Sequence, residues 1–181
     1  QYGTSMCYPI SSMGSHVSVV PNHQLNRITS LHTRANVAYF GTFGYELDLN
    51  KLTDEEIAEV KAQIIFMKEY RELIQFGNFY RLKSPFDGNE TVWMTVSEDK
   101  RKALVFWYRE RNVVNAEFTR VRLQGLDPDL IYKNEYNGTE NYGDELMNLG
   151  LLTTDVTAGE PTNEDLPCTD YESRIYVLTA E

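Results

Sequence analysis

The chain has 181 residues, enough for one good core or for part of one domain joined to a small second one. Its 41% hydrophobic and 24% charged content is that of a globular protein, and the net charge of −10 is concentrated at the end, where residues 141–181 hold one basic and nine acidic groups. No segment offers the basic face that nucleic-acid binding needs, and no stretch reaches the roughly 18 apolar residues of a membrane-spanning helix.

The first apolar run, Thr4–Ile10, ends against Pro9 and predicts a short buried strand. "SSMGSHVSVVPNHQ" (residues 11–24) follows as a loop, rich in serine and holding His16, Asn22 and His23. Leu25, Ile28, Leu31, Ala35 and Ala38 recur at spacings of three and four, which predicts a helix over 24–38. Phe43, Tyr45, Leu47 and Leu49 alternate with Gly44, Glu46 and Asp48, the period of a strand. Thr53 with Glu56 forms a capping box before an apolar stripe (Ile57, Val60, Ala62, Ile64, Met67, Leu73, Ile74) that stops at Gly77. Strand, loop, helix, strand and helix make the end of an alternating α/β pattern, and two strands cannot complete such a sheet alone.

After Phe76 the pattern changes. "TVWMTVSEDKRKALVFWYR" is a β-hairpin about the charged turn Ser97–Arg101. Further strands are predicted in "AEFTRVRLQGL", "LIYKNEY" and "RIYVLTA", with "YGDELMNLGL" as a helical turn or structured loop and 153–173 as a long acidic loop. Short antiparallel strands with tight turns predict a small β-sandwich over about 79–181.

Several clusters invite chemistry. His16, His23 and His32 show neither HxH nor HExxH spacing, so a metal site is not expected. Ser11, Ser12 and His16 lack a G-x-S-x-G elbow and an orienting acid. Glu46 and Asp48, at i and i+2 of a strand, fall ~6.6 Å apart, a separation glycosidase carboxylates use; the alternative is a turn-forming Asp48 and Asn50. Tyr80, Trp93, Trp107 and Tyr108 are either sugar-stacking platforms or core. Cys7 and Cys168 make no metal or CxxC spacing and read as two free thiols of a reducing compartment.

"QYGTSMCYPISSMGSHVSVVPNHQ", "VAYFGTFGYELDL", "YRELIQFGNFYRLKSPF" and "VSEDKRKALV" resemble, in that order, the C-terminal part of bacterial α-galactosidases, the melibiases of glycoside hydrolase family 36. The likeness runs from Gln1 to about Leu130, with departures at Cys7, Ser15 and Ser30. It implies a fold of α/β plus all-β type: the last two β/α units of a (β/α)8 barrel (1–75), then an antiparallel β-sandwich domain (79–181). It implies a parent enzyme that removes terminal α-1,6-linked galactose from melibiose, raffinose and related galactosyl oligosaccharides, with retention and with no metal or cofactor. It places both catalytic aspartates upstream of Gln1, so no catalytic residue is expected here and the isolated chain is expected to be inactive. It removes Glu46 and Asp48 from the catalytic role and sets "SSMGSHVSVVPNHQ" on the catalytic face, where His16, Asn22 and His23 are candidates for shaping the galactose pocket or bracing its loop. It also implies a cytoplasmic homo-oligomer, a tetramer in the family, cut here from a longer protein. The rival expectation is a non-catalytic carbohydrate-binding or structural β-module.

Overall fold

The computed structural model describes residues 1–113, 118–153 and 170–180. The chain divides into two units, Gln1–Gly77 and Asn78–Glu181.

The first unit opens with a single helical turn, α1 (Tyr2–Ser5), and a 3-10 turn at Ile10–Ser12. The strand expected over Thr4–Ile10 is absent. The amides of Ser5, Met6, Cys7 and Tyr8 donate to the carbonyls of Gln1, Gly3 and Thr4, so the backbone is satisfied locally and none is left for a ladder. The strand lies later, inside the stretch read as loop: β1 spans Gly14–Ser18. Helix α2 covers only Leu31–Ala38, started by Ser30, whose side chain accepts from the Thr33 amide at 3.1 Å. The apolar spacing upstream misleads because Asn22 Oδ1 takes the amides of Gln24 and Leu25 (3.0 and 3.1 Å) and turns the chain, leaving Leu25 and Ile28 66% and 71% exposed.

Strand β2 (Thr42–Glu46) pairs with β1 in parallel, Gly14 opposite Thr42 through Ser18 opposite Glu46. This makes a β-α-β unit. Helix α3 (Asp54–Phe76) carries the predicted capping box in full: Thr53 Oγ1 accepts from the Glu56 amide and Glu56 Oε2 accepts from the Thr53 amide. Its buried positions are Val60, Gln63, Met67, Tyr70 and Ile74, one face at helical spacing. Gly77 caps it in an extended conformation (φ −68°), leading straight into the next strand.

The second unit is built on one six-stranded antiparallel sheet, formed by β3 (Asn78–Lys83), β4 (Glu90–Val96), β5 (Lys102–Arg109), β7 (Ile131–Asn134), β8 (Glu140–Tyr142) and β10 (Glu172–Ala180). The spatial order is β3-β4-β5-β10-β7-β8, so the last strand is inserted between β5 and β7. The sandwich expectation is met only in part. Among the described residues the second layer is a two-stranded ladder of β6 (Arg120–Val121) and β9 (Leu151–Leu152), with the short helix α4 (Gly143–Asn148). Val121, Leu123, Leu126, Leu146 and Leu151 from this small layer join Val92, Met94, Val105, Trp107 and Tyr176 of the sheet in one core cluster. The expected acidic loop lies mostly outside the described residues, as do Cys168 and the start of "AEFTRVRLQGL".

Candidate functional site

Parallel β/α units carry ligand sites beyond the C-terminal ends of their strands. In the first unit those ends are Ser18 and Glu46, which are register partners. The two faces of the strand pair differ in chemistry. Ser15 and Val17 are buried, Phe43 stacks on Tyr39 at 4.9 Å, and the Tyr45 hydroxyl donates to Gln63 Oε1 of α3 at 2.8 Å, so this face is turned to the helices. The alternate residues Gly14, His16, Ser18, Thr42, Gly44 and Glu46 line the other face, which is small and polar. Among the described residues this strand pair therefore presents no apolar side chain on its open face.

His16 belongs to this open face, on a strand rather than a loop. Its ring lies across Gly44: a Cβ on Gly44 would stand 3.1 Å from His16 Cδ2. Among the described residues the imidazole of His16 has no hydrogen-bond partner, nor has that of His23, which is exposed beyond β1. Asn22 is used in the loop itself: its side chain holds the Gln24 and Leu25 amides, and its main chain bonds Arg27 O and the Asn26 amide at 2.9 and 2.8 Å. The structure thus brings Asn22 and His23 together in one turn and separates both from His16, which lies within the strand.

The residue that ties this loop to the strand is one the sequence reading passed over. Arg34 of α2 donates from Nη1 to the Ser18 carbonyl at 2.6 Å and from Nε to the Thr29 carbonyl at 3.2 Å, clasping both ends of the loop. Burial lowers its pKa, and the carboxylates of Glu56 and Glu59 oppose that shift. A basic residue one turn inside a helix that follows a polar loop was the available signal.

Glu46 is exposed at the tip of β2. Asp48 caps the 3-10 turn Leu49–Lys51, its Oδ1 accepting from the Asn50 main-chain and side-chain amides at 3.0 Å each. That is turn chemistry. Among the described residues no group of three His, Cys, Asp or Glu could hold a metal ion. A shallow depression of about 530 Å³, lined by Gln1, Thr4, Tyr8, Ser12, Met13 and Gly14, lies at the N-terminal end of β1, away from the loop of Asn22 and His23.

Of the aromatic candidates of the second unit, the two tryptophans are core and not surface platforms, while Tyr80 and Tyr108 are half-buried. Trp107 is 0% and Trp93 4% exposed. Arg109 and Arg174 lie over the Trp107 ring, their guanidinium carbons 5.3 and 5.4 Å from its centroid, and both pair with Glu172. The buried hydroxyl of Tyr108 is held well above the usual tyrosine range by desolvation.

A β-α-β segment with a polar open face, followed by an antiparallel β-domain, defines a chain of mixed α/β and all-β class. The family model described as Melibiase matches residues 1–77, and the Glycosyl hydrolase family 36 C-terminal domain matches residues 90–178. The chain belongs to glycosyl hydrolase family 36. It is 54% identical over 151 residues to "Alpha-galactosidase AgaA" of Geobacillus stearothermophilus, covering 83% of this chain and 21% of that protein. It is 47% identical over the same length to "Alpha-galactosidase Mel36A" of Lactobacillus acidophilus, covering 83% of this chain and 20% of the relative. The crystal structure of the Geobacillus AgaA superposes with a TM-score of 0.90 at 47% identity, covering 100% of this chain and 24% of that one. The α-galactosidase structure from Lactobacillus brevis gives 0.89 at 45% identity, with 100% and 24% covered. The chain thus spans about a fifth of the length of the curated relatives it matches.

Proposed function

We propose that this chain is part of a retaining α-galactosidase that removes terminal α-1,6-linked galactose from oligosaccharides such as melibiose and raffinose. The observation that carries this reading is the 54% identity to an α-galactosidase together with superposition along the whole chain. Further support comes from a related structure, a variant of the Geobacillus enzyme, described as a complex with raffinose. In this reading β1-α2-β2 is the seventh and eighth strand of a (β/α)8 barrel with the helix between them. The open face of Gly14, His16, Ser18, Thr42, Gly44 and Glu46 then looks into the barrel, and the loop of Asn22 and His23 stands at its catalytic mouth. Asn22 braces that loop, and His16 and His23, with no competing partners, are available to a sugar hydroxyl.

The two catalytic carboxylates, nucleophile and acid/base, belong to the remainder of the parent. The isolated chain therefore has no hydrolytic activity, and the parent assembles as a homo-oligomer. The test is turnover of a chromogenic α-galactoside. The parent should hydrolyse it and the isolated chain should give only background; activity in the chain above a catalytically dead parent would overturn the reading.

A further inference from the structure

We propose that Asn137 is an acceptor for an N-linked glycan and that Asn89, which stands in the same sequence context, is not. Both asparagines begin an Asn-x-Thr triplet: Asn137-Gly138-Thr139 and Asn89-Glu90-Thr91. Their settings differ. Asn137 is at the tip of the β7–β8 hairpin, where residues 135–140 are all exposed. Its Oδ1 accepts from the Thr139 hydroxyl at 2.8 Å and the Thr139 amide at 3.1 Å, which binds the triplet into one Asx turn. Gly138, at φ +72°, donates its amide to the Asn134 carbonyl at 2.8 Å and closes the turn from behind. Asn137 Nδ2 has no partner among the described residues, so the nitrogen that must be substituted faces outward. Asn89 is clamped: Nδ2 donates to the Arg111 carbonyl at 2.6 Å and Oδ1 accepts from the Arg111 amide at 2.9 Å. Its Thr91 is locked in the ladder opposite Tyr108.

The co-reactant is a polyprenyl-diphosphate-linked oligosaccharide, delivered by an oligosaccharyltransferase. A bond forms between Asn137 Nδ2 and C1 of the first sugar, the C1–oxygen bond to the diphosphate breaks, the diphosphate leaves with the electron pair, and the amide loses one proton. Transfer occurs only where the chain enters a compartment holding that enzyme; a cytoplasmic chain keeps Asn137 bare. The proposal is independent of the hydrolase reading.

The experiment expresses the full chain behind a cleavable secretion leader in yeast. Sites are read by peptide mapping after peptide-N-glycosidase F in heavy-oxygen water, on secreted and retained protein alike. One glycan is expected, at Asn137. It should vanish in Asn137→Gln and Thr139→Ala, return in Thr139→Ser, and persist in Asn89→Gln. The thermal midpoint of glycosylated chain should match that of Asn137→Gln. A bare Asn137, a glycan at Asn89 whether or not Asn137 also carries one, or a glycan at Asn137 that abolishes the folding transition would each overturn the proposal.

Discussion

Arg34 Nη1 donates to the carbonyl of Ser18, the last residue of β1, at 2.6 Å, while its Nε reaches the Thr29 carbonyl, two residues before α2 begins at Leu31. One side chain thus holds the exit from the strand and the entry to α2. Arg34→Gln leaves these carbonyls without their charged donor. The expected loss is about 1–2 kcal/mol, at the lower end for a charge-assisted bond because the group is part-solvated. Hydrogen exchange should rise over residues 19–30 with β4 and β5 unchanged; unchanged protection would show that the loop is held by other contacts.

Gly41 is the second pivot of the β-α-β unit. At φ +149° a Cβ would stand 2.5 Å from the Met13 carbonyl oxygen, the oxygen that accepts the Thr42 amide at 2.7 Å. Gly41→Ala must displace one strand from the other and should cost about 2–3 kcal/mol, combining backbone strain with a lost hydrogen bond. Chemical denaturation compared with Gly138→Ala, whose Cβ would meet open space despite φ +72°, separates crowding from backbone preference alone.

The tyrosine pair of the first unit makes its stability fall at high pH. Burial first, then Glu59, pushes the Tyr45 hydroxyl up to about 12; burial, Tyr45 and Glu59 raise that of Tyr39 as well. An unfolded tyrosine ionises near 10. Because the folded value is raised, the stabilisation is fully present below about pH 10 and is lost as pH climbs through the folded value. Denaturation midpoints at pH 8 and pH 11 should differ in the wild type and differ less in Tyr45→Phe. Equal slopes in both proteins would remove Tyr45 from the effect.

Trp107 tests the carbohydrate-module alternative. Its indole is in the core cluster and out of reach of solvent. Trp107→Ala should cost about 3–5 kcal/mol and abolish cooperative melting. Galactose titrated into the wild type should leave tryptophan fluorescence unchanged, since both indoles are buried. A saturable change lost in a folded Trp107→Phe variant would restore the stacking role.

The two units should differ in protection when the chain stands alone. Strands β1 and β2 form a sheet of two with no further strand on either edge among the described residues, while β5 is flanked by β4 and β10. Amides of residues 14–18 and 42–46 should therefore exchange faster than those of β5. Equal protection in a monomer would contradict this.

Where chemistry was local, the amino-acid sequence determined the outcome by itself. The Thr53–Glu56 capping box, the Ser97–Arg101 hairpin turn and the change from α/β to antiparallel β after Phe76 each rest on residues within a few positions of one another, and each stands in the fold. The family motifs were legible for the same reason, as contiguous runs. Tertiary structure decided what depends on distant partners. "MCYPI" is apolar enough for a strand, yet its amides are taken by neighbouring carbonyls and "GSHVS" pairs instead, because β2 offers Thr42–Glu46 in register with it. Spacing over 24–38 matched a helix until the Asn22 side chain competed for its first amides. The seating of His16 on Gly44 and the Arg34 clasp on Ser18 join residues 28 and 16 positions apart, a separation over which no periodicity carries information.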